Sequence, residues 1–195
     1  MGTIGILLFD DVEELDAIGP WEVLAWWCAR FPDDGWAVTT FSHDGGVVRC
    51  AKGLRVLPDH SDDDVPALDV LLYPGGRGAR QRVDDEAEVA WVRAQRERVP
   101  LLASVCTGAL VYAKAGLLTG RPATTHWAAL DRLAAIDPTI EVRRDDRYID
   151  DGDVVTAAGI SAGIDMALHL VARFAGADRA RAVRRGIQYD PRPPV

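Results

Sequence analysis

Apolar positions along the chain fall in short runs that end at acidic or glycine-rich turns, with amphipathic stretches between them. Thr3 to Phe9 is almost wholly apolar and reads as a buried strand. The acidic turn Asp10-Asp11-Val12-Glu13-Glu14 leads into helical spacing through Leu15, Ile18, Trp21, Val23, Leu24 and Trp27. Gly19-Pro20 interrupts that pattern. Proline fits a helix's first turn but not its middle, so the pattern predicts a short turn ending at Gly19, carrying Asp16, and a longer helix starting at Pro20. Ala37 to Ser42 reads as a second strand, and Val47 to Cys50 with Leu54 to Leu57 as a hairpin turning at Ala51-Lys52-Gly53. Asp69 to Tyr73 is a further strand, ending in Pro74-Gly75-Gly76-Arg77-Gly78.

Asp84 to Arg98, acidic at its start and basic at its end, predicts an amphipathic helix feeding the apolar strand Val99 to Val105. The small residues after Cys106 open a helix that closes near Gly116. Ala123 to His126 reads as a short strand and Trp127 to Ala135 as a helix. Extended segments follow at Ile140 to Arg143, Arg147 to Ile149 and Val154 to Ala157. Ser161 then starts a long helix closing near Gly176, and Asp190 to Val195 reads as an extended tail. Apolar strands alternating with helices predict an α/β fold, a mostly parallel central sheet covered on both faces. Ligands on such sheets bind beyond the strand carboxyl ends, where the acidic turn, the glycine loop and Cys106 are all expected.

Cys106 ends a strand and opens a helix, so free backbone N–H groups and the positive end of the helix dipole are expected to favour its thiolate. A sharp turn there presents the sulfur to a cleft, as the elbow of serine hydrolases presents its hydroxyl. The purely structural alternative is a small buried hydrophobe, which is how Cys28 and Cys50 read. A thiolate nucleophile needs a proton partner and a site for developing charge. The backbone N–H groups of Gly76 and Thr107 suit the second task, and glycine at 75 and 76 lets backbone approach a ligand. For the proton, Asp16, Glu14, Glu13 and His126 are candidates. A carboxylate beside a thiolate has its pKa raised by like-charge repulsion and can serve as a general acid. Against this, Asp16 could simply cap a helix and His126 could be a packed strand-end histidine. The glycine loop lacks the spacing of NAD or ATP loops. Trp21, Trp26 and Trp27 are expected to form a packing or dimer face.

Length and composition narrow the classes further. A chain of 195 residues, 48% hydrophobic, fits one domain over residues 1–195 that folds without disulfides or structural metal. Three cysteines with no CxxC spacing indicate neither a disulfide framework nor a zinc cluster, and fit a reducing cytoplasm. The first apolar run is too short to span a membrane and follows no basic n-region. Net charge is −8, which argues against nucleic-acid binding. The charge is uneven: residues 1–70 hold 14 acids against 4 bases, while arginines gather near the C-terminus, read as a solvated helix face.

Ser104-Val105-Cys106-Thr107-Gly108-Ala109 and Pro74-Gly75-Gly76 resemble the nucleophile elbow and oxyanion-side loop of the DJ-1/PfpI superfamily, and the resemblance runs over residues 3–195. Glu14 to Val23, Ala123-Thr124-Thr125-His126-Trp127, Ala158 to Asp165 and Gln188 to Pro194 are most similar to its isocyanide hydratase branch. The resemblance implies a flavodoxin-like three-layer sandwich, a homodimer and cofactor-free, metal-free catalysis on a small electrophilic substrate. It implies that Cys106 attacks the terminal isocyanide carbon to give a thioimidate, which water converts to an N-formamide. By position, Asp16 becomes the acid/base, Thr107 and Gly76 flank the reacting carbon, and Ile160 lines the region near the cysteine. The residue after Cys106 is Thr107, not the histidine of the peptidase-like branch, so an adjacent Cys-His dyad is not expected. The helix-turn-helix domain of the regulator branch is not expected either. Glyoxalase-type chemistry on small dicarbonyls, with Glu14 as the partner, and a ligand-binding or oxidation-sensing module remain as alternatives.

Overall fold

The computed structural model describes residues 2–191. In chain order its first half comprises β1 (Gly2–Leu7), α1 (Glu14–Arg30), β2 (Trp36–Ser42), β3 (Val48–Arg49), β4 (Arg55–Val56), β5 (His60–Ser61), β6 (Val70–Tyr73), α2 (Arg77–Arg82) and α3 (Glu86–Arg96). Its second half comprises β7 (Leu101–Val105), α4 (Gly108–Lys114), β8 (Pro122–Ala123), α5 (Leu130–Ile136), β9 (Glu141–Val142), β10 (Tyr148–Asp150), β11 (Val154–Ala157), α6 (Ala162–Ala175) and α7 (Ala177–Gly186).

The main sheet runs β10-β11-β7-β6-β1-β2-β5, with every neighbouring pair parallel except β10 with β11. This is a flavodoxin-like α/β sandwich. Strands β1, β6 and β7 can sit at its centre because Ile4, Ile6, Val70, Leu71, Leu72, Leu102 and Val105 are apolar on both faces and buried. Each such side chain contributes about 1.5–3 kcal/mol on leaving water. Helices α1, α6 and α7 pack together, and α4 packs against α2, α3 and α5, which gives the two outer layers. Strand order reverses between β1 and β6, so a crevice opens at their carboxyl ends. The glycine loop after β6 and Cys106 after β7 both lie there.

The hairpin is present as β3 and β4, paired Val48 to Val56 and Arg49 to Arg55. Other expectations need correction. Helix α1 runs unbroken from Glu14 to Arg30 with Pro20 inside it. Pro20 has no N–H to offer the Asp16 carbonyl, but Gly19 and Pro20 are buried against Ile164 and Gly163 of α6, and that packing outweighs one missing bond. Of the expected Ala123 to His126 strand only Ala123 pairs, as the end of β8, and β8 pairs with β9 outside the main sheet. Trp127 to Ala129 forms a 3-10 turn before α5. Strand β5 and helix α2 carried no clear signal.

Trp27 is fully buried and packs on Trp36, which stacks on Phe174, while Trp21 stays partly exposed. The basic C-terminal stretch is α7; Arg181, Arg184 and Arg185 are exposed, whereas Arg179 pairs with Asp34 and lies 3.6 Å from the Phe31 ring centroid. Residues 192–195 of the expected extended tail lie outside the described residues. Among the described residues no helix is long and apolar enough to cross a membrane, and no group of three His, Cys, Asp or Glu is placed to hold a metal ion.

Candidate active site

Val105 ends β7 and Gly108 begins α4, which leaves Cys106 to make the reversal. It does so at φ +56, a left-handed conformation that costs a non-glycine residue on the order of 1 kcal/mol. Bonds on both sides hold it there. The Cys106 N–H donates to the carbonyls of Ala157 and Ala158, each at 3.1 Å, and its own carbonyl accepts the Thr125 hydroxyl at 2.6 Å. Thr124 N–H donates to Thr156 Oγ1 at 3.0 Å, which anchors the same segment. The segment's bonds go elsewhere than to a strand: Thr125 secures the elbow, Thr124 ties to β11 and His126 caps the following turn.

The glycine loop is stitched to the acidic turn, with Glu13 N–H donating to Gly75 O and Gly78 N–H to Asp11 O, both at 3.0 Å. Gly76 sits at φ +117, and a Cβ there would lie 2.5 Å from Asp11 O. At Gly75 a Cβ would lie 2.5 Å from Thr107 N, 2.8 Å from Asp16 Oδ2 and 2.8 Å from Cys106 Cβ. Cys106, the Asp16 carboxyl and the Thr107 N–H therefore meet around one glycine hydrogen atom, and only glycine fits. Thr107 clamps this arrangement: its hydroxyl accepts Gly76 N–H at 3.0 Å and donates to Gly76 O at 3.1 Å. The Gly76 N–H is thereby occupied, so it is not the free oxyanion donor the sequence suggested. The Thr107 backbone N–H faces the sulfur and favours its charged form.

Asp16 is 0% exposed, in the first turn of α1. Its Oδ2 accepts the Gly75 N–H at 3.0 Å, while Oδ1 is buried with no hydrogen-bond partner of ordinary geometry. Burial pushes this carboxyl up to about 7, opposed in part by the neighbouring Cys106 thiol and the Gly75 N–H. Cys106 is also pushed up, first by burial and then by the charge of Asp16, against the Thr107 and Ile160 backbone N–H groups that lower it. The expected low-pKa thiolate is thus overturned: desolvation outweighs the helix terminus. The two groups share protons as a pair rather than titrating singly.

Cys106, 5% exposed, forms part of the wall of a cavity of about 360 Å³ together with Gly76, His126 and Ile160. Glu13, Lys52, Arg77 and Arg80 line the same cavity. Ile160, at φ +54, lines the same cavity as Cys106, the place the resemblance implied for it. His126 accepts Ala128 N–H at Nδ1 and packs against Gly159; burial holds its imidazole below the ordinary value. Glu14 is turned to the hairpin, where its carboxylate accepts Lys52 N–H at 2.6 Å; Glu13 pairs with Lys52 Nζ. Asp16 is the carboxyl brought to the thiol. Sequence reasoning missed the buried Thr125 hydroxyl as the support of the elbow, although it sits in a motif already singled out.

A family model described as DJ-1/PfpI family matches residues 3–173. An isonitrile hydratase of Pseudomonas putida is 41% identical over 98% of this chain and 80% of its own length. An HTH-type transcriptional regulator of Pseudomonas aeruginosa is 32% identical over 77% of this chain but only 41% of its own length. Among solved structures, a ThiJ/PfpI family protein from Pseudomonas syringae aligns with a TM-score of 0.88 at 28% identity, covering 100% of this chain and 77% of that one.

Proposed function

Because the chain belongs to the DJ-1/PfpI family, we propose that it is an enzyme that hydrates isocyanides to N-substituted formamides, with Cys106 as nucleophile and Asp16 as acid/base. The observation that carries this reading is the buried Asp16 carboxyl beside Cys106, its Oδ1 unpartnered.

An isocyanide carbon attacked by sulfur needs a proton at that carbon, not an oxyanion hole. The thiol proton passes to Asp16, the S–C bond forms, and Asp16 returns the proton to the carbon, leaving a thioimidate. Water then adds across the C=N bond, its proton going to nitrogen by way of Asp16. Collapse of the adduct breaks the S–C bond, restores the thiol and releases the formamide. The atoms balance with water as the only co-reactant. The occupied Gly76 N–H fits such a first step better than it fits acyl transfer. Identity to an isonitrile hydratase over nearly the whole chain supports the same substrate class.

The alternatives draw less support. Dicarbonyl chemistry led by Glu14 meets a Glu14 engaged with Lys52. Peroxide sensing depends on a resting thiolate, and burial raises this thiol. Homodimerisation belongs to the proposed reading, and light scattering tests it. The decisive assay incubates purified protein with several alkyl and aryl isocyanides and follows formamide by mass spectrometry. Turnover above a Cys106→Ala control is expected; its absence across the panel overturns the assignment.

A further inference from the structure

Three cations line the Cys106 cavity: Lys52, Arg77 and Arg80. Two are already neutralised. Lys52 Nζ is held by Glu13 and Glu14, and Arg77 Nη2 donates to Asp11 Oδ1 at 2.7 Å and to Ala51 O at 3.2 Å. Glu13, the acid on the cavity wall, is matched by Lys52. Arg80, on the exposed side of α2, has neither an ion-pair partner nor a side-chain hydrogen bond among the described residues. Arg80 is therefore the cavity cation whose guanidinium no acid among the described residues engages. Its field reaches inward: after burial, the charge of Arg80 is the next cause holding the His126 imidazole low.

We propose that Arg80 is an anion subsite of the Cys106 cavity, and that the preferred substrates are isocyanides bearing a carboxylate on their substituent. The substrate class rests on the isocyanide reading; the subsite does not. An isocyanide is linear at its reactive end, so its carbon meets the recessed sulfur while the substituent extends away from it into the cavity that Arg80 lines. A planar guanidinium with five donors suits a carboxylate, and a neutral substituent offers it at most an uncharged, weaker acceptor.

Two measurements separate the proposal from the reading it rests on. The first uses no isocyanide: Cys106 is alkylated with iodoacetate or iodoacetamide and followed by peptide mapping, in the native protein and in Arg80→Gln and Arg80→Lys. The iodoacetate-to-iodoacetamide rate ratio is expected to fall by up to about fivefold in Arg80→Gln, the upper end for an exposed ion pair, and to recover in Arg80→Lys. An unchanged ratio in Arg80→Gln overturns the subsite. The second compares kcat/KM for isocyanoacetate and its methyl ester. The acid is expected to be preferred, and Arg80→Gln to remove the preference through KM; equal values in the native protein overturn the substrate class. If neither compound is hydrated while the alkylation ratio still responds to Arg80, the hydration reading and its substrate class fall and the subsite stands.

Discussion

Two carboxylates, Asp16 and Glu88, are almost entirely removed from water, at 0% and 4% exposure, and the protein shifts them in opposite directions. Glu88 accepts the Tyr73 hydroxyl at 2.8 Å, His43 Nε2 at 3.0 Å and an Arg82 guanidinium N–H. Burial pushes it up, but the His43, Arg82 and Tyr73 interactions outweigh that and hold it below the ordinary carboxylate value. Asp16 has only the neighbouring Cys106 thiol and the Gly75 N–H to oppose its burial, with no charged donor, so burial wins. Depth alone does not decide the ionisation of a buried acid; the number and charge of its donors do. Glu88 is a satisfied structural charge, whereas Asp16 is left short of donors beside the Cys106 sulfur, where the proposed reaction moves a proton.

Substitutions test the contrast. The largest effect is expected on activity from Asp16→Asn, which keeps an acceptor for Gly75 N–H but cannot carry a proton. Loss of kcat/KM toward isocyanides should be about 10²–10⁴-fold, the range for a general acid/base. In the native enzyme kcat/KM should rise as pH passes about 7, because Asp16 must be ionised before it can take the thiol proton; Asp16→Asn should lack that inflection.

Glu88→Ala should leave activity per folded molecule intact and cost about 3 kcal/mol in urea unfolding, since His43 and Arg82 lose their shared partner. A silent Glu88→Ala would place the cluster among interactions of no structural consequence.

Asp16→Asn should stabilise the fold at pH 8, where the native carboxyl is ionised in an unfavourable buried setting. The folded carboxyl holds its proton up to about 7, well above the unfolded value, so the native protein loses stability as pH rises between the two. The gap between variant and native protein should therefore be small at pH 4 and grow toward pH 8.

His43 gives the smallest effect and the opposite assignment of partners. Hydrogen bonds to Asp62 and Glu88 raise it to about 9, so its contribution is complete below the unfolded value near 6.5 and lost as pH rises through about 9. Allowing for its one-third exposed ring, a native-minus-His43→Gln difference of about 1 kcal/mol at pH 6 should vanish by pH 10.

The central strands and the elbow were legible because their cause is local: apolar runs on both faces, then small residues after a cysteine. Asp16 was legible as a candidate through its place just after β1, though Glu14 stood equally near in sequence. What separates them is Lys52 on the hairpin, which engages Glu14 and leaves Asp16 facing the thiol. The break expected at Pro20 failed because burial against α6 is invisible to local propensity. Thr125 was hidden for the same reason: its role is a bond to a carbonyl 19 positions away.

The sequence by itself determined the layered α/β architecture, the cysteine at a strand end and the glycines that let backbone close on it, since each follows from periodicity or from the absence of a Cβ. Only the tertiary structure decided which carboxyl meets that cysteine, that the Gly76 N–H is occupied by Thr107, and that the thiol is raised rather than lowered. Those outcomes depend on desolvation and on donors supplied by distant segments, quantities that exist only once the chain has packed.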